Sequence, residues 1–553
     1  MKAMKKVLSL MLIVAMIFSM STVALANETF EMTIYNAKDT HTYEAYQVFA
    51  GKVSGGKLVD ITWGNGVDGD ALLEDLNKVA AYAGCKNAED VAAVLKNYAD
   101  NSAALDAFAA IAGENLGTKA GDAVKGAVIK VEGKDVVPYT FKDLASGYYL
   151  VKDKDGSQTG HDAYTKYILS IVKLTDNLEI FSKSDFPSID KNIELESKEL
   201  VKVDDVSLGE KVNYLLSSRV PDMDGYDEYR FIATDVMSKG LTFNNDVELK
   251  IGDTTLDAGA FTVNHSTAAD GKTTIVIRIA NLKVYEKGAD IEIRYSATVN
   301  QDAKIGTEGE INVVHLEYSN NPNFDYGGIP DDQDGPKGIT PDSKTRVFTT
   351  AIELVKVDGK NNNTLTGAEF EIKGDSMKKV LVTEGVFEED ASGEYWRLED
   401  GTYTKEDPGA ENTTKYTLTT KTFIKDIAPT NVECRAFVNA EGKLVLEGLG
   451  AGTYTVKEIK APAGYNLLKN DIVIEVGFLE PDTENDGCEW TFKVDKNVAT
   501  STNGMLSFNV KNYSGLVLPS TGGMGTTLFY ALGSILLVAA GVLIISKKRM
   551  AKK

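Results

Sequence analysis

The chain has 553 residues, enough for about three or four domains of roughly 100–200 residues each. It carries 59 Lys and Arg against 81 Asp and Glu, and the resulting formal net charge of -22 repels phosphate backbones and excludes nucleic-acid binding. A hydrophobic content of 43% is sufficient for packed cores, so disorder throughout is excluded as well. Three cysteines and four histidines are too few for a disulfide scaffold or a Cys/His-rich zinc module.

The pattern of residues 1–26 predicts a secretory signal peptide. A start with three lysines and no acid precedes a short apolar run, and Ala24-Leu25-Ala26 is a small-residue cleavage pattern. The mature chain is therefore expected to begin near Asn27. An uncleaved membrane anchor is the alternative, but the apolar run is short for a membrane span.

Residues 27–515 predict a mainly β protein with three domains, at 27–185, 186–345 and 346–515. Short stretches of alternating apolar and polar residues, such as residues 274–279, are separated by Gly and Asp turns. Many short strands of this kind favour tandem β-sandwiches of immunoglobulin-like type. A loop with several prolines precedes the third domain.

Residues 70–125 differ from the rest of the first domain. They are rich in Ala and Leu at helical spacing, which predicts helices inserted into a β domain.

A ten-residue pattern, L-x-x-G-x-Y-x-V-K-acid, occurs at 144–153 and again at 449–458. It predicts a glycine turn that leads into an alternating strand. The first and third domains are therefore interpreted as related sandwiches.

Residues 516–553 contain Leu518-Pro519-Ser520-Thr521-Gly522, then an apolar stretch over about residues 526–546, then a basic tail. An apolar helix of about 20 residues spans a bilayer core, and the tail should stay in the cytoplasm. A plain transmembrane helix does not explain the pentapeptide outside it. The three parts together resemble the LPxTG cell-wall sorting signal of Gram-positive surface proteins.

This resemblance implies that a sortase cleaves between Thr521 and Gly522, holds the threonine carboxyl as a thioester and passes it to an amine. The chain is then a secreted sortase substrate, held in the membrane as a precursor and finally anchored to the cell wall.

The third domain carries three motifs in order: residues 354–358 around Lys356, the LxGAxF-like residues 365–370, and residues 454–465 around Glu458. They resemble the Cna B-type domains of Gram-positive pilins and collagen adhesins, in which the last motif is called the E-box. In that family a lysine of the first strand and an asparagine of the last strand form an isopeptide bond, promoted by the E-box acid. The resemblance assigns these roles to Lys356, Asn512 and Glu458.

The residue pattern is consistent with this assignment. Alternation places Lys356 on the face of Leu354, and Asn512 on the face of Phe508 and Val510. A lysine amine attacks only when it is neutral, and burial favours the neutral form. Burial also favours a protonated glutamic acid, which can polarise the amide carbonyl. Solvated residues at strand ends are the alternative.

The second domain offers another set of three residues: Lys191 in residues 187–193, Asp235 in 233–241 and Asn312 in 309–322. These segments resemble the lysine, acid and asparagine strands of the isopeptide-forming middle domain of shaft pilins. The resemblance assigns the bond to Lys191 and Asn312 and the promoting acid to Asp235. Asn320 and Asn321 are competing acceptors, in an Asn-Pro turn context.

Lys183 lies in the seam between the first two predicted domains. In shaft pilins a lysine at this seam, in a Tyr-Pro-Lys motif, resolves the sortase thioester. This chain has Phe-Ser-Lys, so the motif is degenerate, and Lys191 is the alternative. Joining Lys183 of one subunit to Thr521 of another gives a covalent head-to-tail fibre.

The sequence therefore predicts the structural shaft subunit of a sortase-assembled pilus rather than an enzyme, with no cofactor and no metal site. The expected partners are a class C pilin sortase, a housekeeping sortase, other copies of the chain, minor and tip pilins, and peptidoglycan. A wall-anchored adhesin or minor pilin with the same domains is the alternative function. Host ligands, Ca²⁺ binding by acidic turns and a disulfide between Cys434 and Cys488 are left open.

Overall fold

The fold was analysed in a computed structural model. It describes residues 29–54, 57–100, 102–131, 133–158, 162–172, 178–182, 186–324, 326, 335–409, 413–515 and 525–550. Within these ranges the chain is mainly β, which confirms the predicted fold class.

The first region consists of two β-sheets with a helical insert. One sheet has the order β10-β1-β7-β5 with β6 on β7, and the other has the order β3-β2-β8-β9 with β4 on β2. The strands are β1 (Phe30–Asn36), β2 (Tyr43–Ser54), β3 (Lys57–Trp63), β4 (Gly121–Asp122), β5 (Val124–Lys125), β6 (Ile129–Val131), β7 (Lys134–Leu144), β8 (Gly147–Asp153), β9 (Ile168–Val172) and β10 (Leu178–Phe181).

The predicted helical insert is present as three α-helices and a 3-10 turn at Ala80–Tyr82. The helices are α1 (Gly69–Asn77), α2 (Ala88–Leu95) and α3 (Ala103–Glu114). Asp68, Asn87 and Ser102 cap them, because each side chain accepts a hydrogen bond from a first-turn amide that has no partner inside its helix. The apolar helix faces pack against β2 and β8, around Phe49 and Leu150.

The ten-residue repeat adopts the same local structure at both places. The Tyr149 hydroxyl donates a hydrogen bond to the carbonyl of Ala145 at 2.8 Å, and the Tyr454 hydroxyl donates to the carbonyl of Gly450, also at 2.8 Å. In both copies the tyrosine is buried and reaches back four residues across the turn before its strand. This shared contact supports the interpretation that the two regions are related.

The second region is a sandwich of two seven-stranded sheets around one core. The orders are β12-β11-β14-β21-β17-β18, with β16 on β21, and β13-β24-β22-β15-β20-β19, with β23 on β22. The strands are β11 (Asp190–Glu194), β12 (Leu200–Val201), β13 (Val203–Asp205), β14 (Lys211–Arg219), β15 (Phe231–Met237), β16 (Leu241–Phe243), β17 (Glu248–Ile251), β18 (Thr254–Thr255), β19 (Phe261–Thr267), β20 (Thr273–Ile279), β21 (Asp290–Val299), β22 (Glu310–Ser319), β23 (Lys337–Ile339) and β24 (Ser343–Phe348).

The third region is one hydrogen-bonded path of strands that folds over a single core. Its first strand, β25, and its last, β38, lie side by side and parallel. The strands are β25 (Thr350–Asp358), β26 (Glu369–Gly374), β27 (Lys378–Glu389), β28 (Tyr395–Arg397), β29 (Tyr403–Thr404), β30 (Lys415–Ile427), β31 (Cys434–Phe437), β32 (Lys443–Leu449), β33 (Gly452–Lys460), β34 (Ile472–Leu479), β35 (Glu489–Val494), β36 (Asn497–Ala499), β37 (Ser501–Thr502) and β38 (Met505–Asn512).

Direct hydrogen bonds join the second region to the third. The Leu208 amide donates to the Gly448 carbonyl at 2.8 Å, and the Trp490 indole donates to the Gly306 carbonyl at 3.1 Å. Burial is the main cause that raises the pKa of Asp204, beside this contact, to about 7.

The segment after residue 524 is a single helix, α4 (Gly525–Met550). It includes Tyr530–Lys548, which is long and apolar enough to cross a membrane. The predicted signal peptide, 1–26, and the pentapeptide 518–522 lie outside the described residues.

We expect Tyr149→Phe to lower the free energy of unfolding of the first region by about 1 kcal/mol, the usual net value of one hydrogen bond. The substitution removes the bond to Ala145 while keeping the ring in the core. Hydrogen exchange of the β8 amides across a urea series measures the change. An unchanged free energy would show that this hydroxyl does not stabilise the turn.

Candidate functional site

The three residues assigned in the third region meet at one end of its core. Lys356 is on β25, Asn512 is on β38 and Glu458 is on β33. In the parallel ladder Lys356 is opposite Val510, and Asn512 is opposite Asp358. Alternation therefore turns both side chains inward, where Lys356 is 0% and Asn512 1% exposed.

The contacts among these three side chains fit an amide-forming reaction. The Lys356 Nζ contacts the Asn512 Oδ1 directly and lies 3.2 Å from the Glu458 Oε1. The Asn512 Nδ2 lies 3.0 Å from each carboxyl oxygen of Glu458, and the Leu468 amide holds the Oε2 at 2.8 Å. Burial lowers the pKa of Lys356, which favours the neutral amine.

The second region brings its three assigned residues together across its two sheets. Lys191 is on β11 of one sheet, whereas Asp235 and Asn312 are on the neighbouring strands β15 and β22 of the other. All three side chains are 0% exposed. A bond between Lys191 and Asn312 would therefore join the two sheets through the core.

Lys191 is paired with Asp235. The Lys191 Nζ lies 2.5 Å from the Asp235 Oδ2, and the aromatic ring of Tyr214 is centred 4.6 Å from the same nitrogen. Burial lowers the pKa of Lys191 to about 8, and burial also raises the pKa of Asp235. Both shifts favour a neutral amine next to a neutral acid, because an apolar core disfavours either charge.

Tyr295 is a member of this site that the sequence analysis missed. Its hydroxyl contacts the Lys191 Nζ, donates to the Asp235 Oδ2 at 2.7 Å and accepts from the Asn312 Nδ2 at 2.9 Å. The sequence does carry one signal for it. Residues 291, 293, 295 and 297 alternate toward the core along β21, so a tyrosine had to be buried there with a polar partner.

In the first region, the acid that the repeat aligns with Glu458 has different neighbours from those of Glu458. The repeat aligns Asp153 with Glu458, but Asp153 pairs with His41 at 3.0 Å and accepts the Thr165 amide at 2.7 Å. In the part of the chain that the structure describes, no lysine contacts Asp153. Among the described residues, Asp153 therefore does not form a third lysine–acid set.

The structure bears on two alternatives that the sequence left open: Asn320 as the acceptor asparagine, and Lys191 as the lysine that joins subunits. Asn320 does not lie beside Lys191 but at the contact between the first and second regions. Its backbone carbonyl accepts a hydrogen bond from the Tyr164 amide there, at 2.7 Å. Lys191 is enclosed in the core, which disfavours it as the lysine that joins subunits. Lys183 and Thr521 lie outside the described residues.

The remaining open questions concern cysteines and acidic turns. Cys434 and Cys488 are separate buried thiols in the structure, and Cys85 lies between the 3-10 turn and α2. Burial raises the pKa of Cys434 to about 11, so this thiol is poorly reactive. Of the acidic turns, Asp155 pairs with Lys152 at 2.6 Å, and residues 331–334 lie outside the described residues.

Family comparisons agree with the motifs. The model of the Gram-positive pilin backbone subunit 2, Cna-B-like domain, matches residues 208–322, a prealbumin-like fold domain matches 412–486, and the LPXTG cell wall anchor motif matches 512–552. The chain carries the domains of Gram-positive backbone pilins. The anchor motif and α4 make this chain a cell-wall-anchored surface protein with a membrane-held precursor.

Similar proteins occur in several bacterial genera, among them Streptococcus and Corynebacterium. The trypsin-resistant surface T6 protein of Streptococcus pyogenes serotype M6 is 28% identical over 404 residues, which cover 67% of this chain and 70% of that protein. The solved T6 backbone pilin of the same serotype is 15% identical at a TM-score of 0.52, and the match covers 89% of this chain and 100% of that one. The major pilin SpaD of Corynebacterium diphtheriae is 15% identical at a TM-score of 0.46, over 89% and 99% of the two chains.

We expect formation of the bond between Lys191 and Asn312 to accelerate about tenfold per pH unit as the pH rises toward 8. The pKa of Lys191 is about 8, so each unit below it reduces the neutral amine about tenfold. Cell-free synthesis of the secreted chain, quenched at intervals in acidic denaturant, measures the rate by peptide mass spectrometry. A rate independent of pH over about pH 6–8 would contradict attack by the neutral amine.

Proposed function

We propose that this pilin is the shaft subunit of a covalent surface pilus and that it stabilises itself with two intramolecular isopeptide bonds. In each bond the lysine Nζ attacks the asparagine Cγ, and the Nδ2 leaves as ammonia. The bonds are Lys356–Asn512, promoted by Glu458, and Lys191–Asn312, promoted by Asp235. The observation that carries the proposal is that two buried lysines each lie beside a buried carboxyl and within the same cluster as a buried asparagine.

We further propose that a pilin sortase joins Thr521 of one subunit to Lys183 of the next, and that a housekeeping sortase transfers the finished fibre to peptidoglycan. The LPXTG anchor motif supports sortase processing. Burial of Lys191 supports Lys183 as the joining amine, because an amine inside a packed core cannot reach the thioester of another protein. Minor and tip pilins are the expected further partners.

The positions of the two bonds suit a fibre under tension. In the third region a pulling force enters along β25 and leaves along β38, and these strands are adjacent and parallel. Lys356 and Asn512 are 156 residues apart in sequence. A bond between them transmits the force directly from β25 to β38, so the chain between these strands bears no load. By analogy with a disulfide, closing a loop of more than 100 residues adds on the order of 5 kcal/mol.

The measured mass of the secreted chain is expected to be lower than the mass calculated from its residues by two ammonia molecules. Glu458→Ala and Asp235→Ala are each expected to restore one of them, because each removes the acid of one site. Intact-mass spectrometry measures the difference. Glu475→Ala, which replaces an exposed glutamate on β34 paired with Lys493, is the control and should still lack both. A mass equal to that of the sequence would contradict both bonds.

Lys183→Ala is expected to abolish polymerisation when the chain is produced with its pilin sortase. Denaturing gels should then show monomers in place of a ladder. Lys198→Ala, at an exposed lysine between β11 and β12, should leave the ladder unchanged. Lys191→Ala should also polymerise while lacking one intramolecular bond, and ladders formed by Lys183→Ala would contradict the assignment.

A further inference from the structure

The two proposed sites form the same kind of bond, between a lysine and an asparagine, with different sets of surrounding side chains. In the third region Glu458 touches both reacting residues, since its carboxyl oxygens lie 3.2 Å from the Lys356 Nζ and 3.0 Å from the Asn512 Nδ2. A glutamate can therefore accept a proton from the attacking nitrogen and deliver one to the leaving nitrogen. No further residue is needed between them.

Asp235 contacts only one of the two reacting residues. It lies 2.5 Å from the Lys191 Nζ, but no hydrogen bond joins it to Asn312 in the described parts of the chain. Aspartate is one methylene shorter than glutamate, so the carboxyl of Asp235 does not span the site as that of Glu458 does. The leaving nitrogen of Asn312 instead contacts the Tyr295 hydroxyl, at 2.9 Å.

We propose that Tyr295 is a catalytic residue of the second region, whose hydroxyl relays a proton from the attacking Lys191 Nζ to the leaving Asn312 Nδ2. The proposal rests on the proposed Lys191–Asn312 bond. The hydroxyl contacts both nitrogens and Asp235, and all four side chains are enclosed, so bulk water does not compete for the proton.

The proton balance of the step is complete within these four residues. The step starts from a protonated Asp235 and a neutral Lys191 amine that has already lost its extra proton to solvent, the state that burial of both groups favours. The amine then attacks the Asn312 Cγ, and the C–Nδ2 bond breaks. Tyr295 gives its proton to the Nδ2, which leaves as ammonia, and takes one from the Nζ, which becomes the amide nitrogen. Tyrosine and aspartic acid end the step unchanged.

Two buried oxygen atoms support this division of roles. The Asp235 Oδ1 and the Asn312 Oδ1 are both buried without a hydrogen-bond partner among the described residues. A protonated Asp235 has a hydrogen to offer, and the Asn312 carbonyl oxygen gains negative charge as the amine attacks. Among the described residues Tyr295, and not Asp235, is the group in contact with the leaving nitrogen.

The test follows the two bonds separately in one sample of the full secreted chain. Tyr295→Phe keeps the ring and removes the relay oxygen. We expect it to slow formation of the Lys191–Asn312 bond by about a hundredfold or more, the usual contribution of general acid–base catalysis. The Lys356–Asn512 bond, which forms without a tyrosine, should keep its rate and serves as the internal control. Aliquots quenched at intervals are digested and both crosslinked peptides are quantified by mass spectrometry.

Tyr318→Phe is the matched control variant. Tyr318 is a buried tyrosine of the same core, and its hydroxyl has no hydrogen-bond partner in the described residues, so its loss should leave both rates unchanged. Equal Lys191–Asn312 rates in Tyr295→Phe and in the unaltered chain would overturn the role of Tyr295 alone. Absence of this crosslink from the unaltered chain would overturn the proposed bond itself.

A second substitution keeps the test valid if Tyr295→Phe perturbs the core. Site-specific replacement of Tyr295 by 3-fluorotyrosine retains the hydroxyl and nearly the same volume but makes the phenol more acidic. A change in the acidity of the hydroxyl alters a step in which its proton moves, so the rate of this bond should change by at least about twofold while the Lys356–Asn512 rate does not. An unchanged Lys191–Asn312 rate would overturn the relay.

Discussion

The structure depends on one constraint, the enclosure of a lysine amine inside an apolar core. A charged ammonium costs several kcal/mol there unless it is paired, and a neutral amine next to a neutral acid is the cheaper arrangement. The cost that burial imposes on the charged form is also what makes the amine a nucleophile. Burial lowers the pKa of Lys191 and of Lys356 and so raises the share of neutral, reactive amine, and an amide bond would remove the titratable amine permanently.

This constraint accounts for where the reacting residues lie. Lys356 and Asn512 continue the apolar stripes of the first and last strands of the third region, so the same alternation that builds the core brings them together. In the second region the reacting side chains come from opposite sheets. A bond would join the first and last strands of the third region, and the two sheets of the second. The first region has a buried Asp153 at the aligned position, but with a histidine in place of a lysine beside it.

Much of the candidate site could be predicted from the sequence because its chemistry is tied to strand pattern. Lysine, acid and asparagine each lie in a motif whose alternation shows which face is buried, and the structure groups them as predicted. Tyr295 was missed because its role depends on a distance across the sandwich, from β21 to β15 and β22. The sequence could not decide between Asn312 and Asn320 as the acceptor for the same reason. Both occur in one segment, and only the packing of the first region against the second places Asn320 elsewhere.

The sequence by itself determined the fold class, the helical insert, the cell-wall anchor motif and the family resemblance, because these depend on local composition, periodicity and short motifs. Its three cysteines also excluded a disulfide framework. Only the tertiary structure decided which groups share a core. It brought the Tyr295 hydroxyl between Lys191 and Asn312, and it allowed Glu458 to span a gap that Asp235 does not. Such contacts depend on side-chain reach between strands far apart in sequence, which no local pattern records.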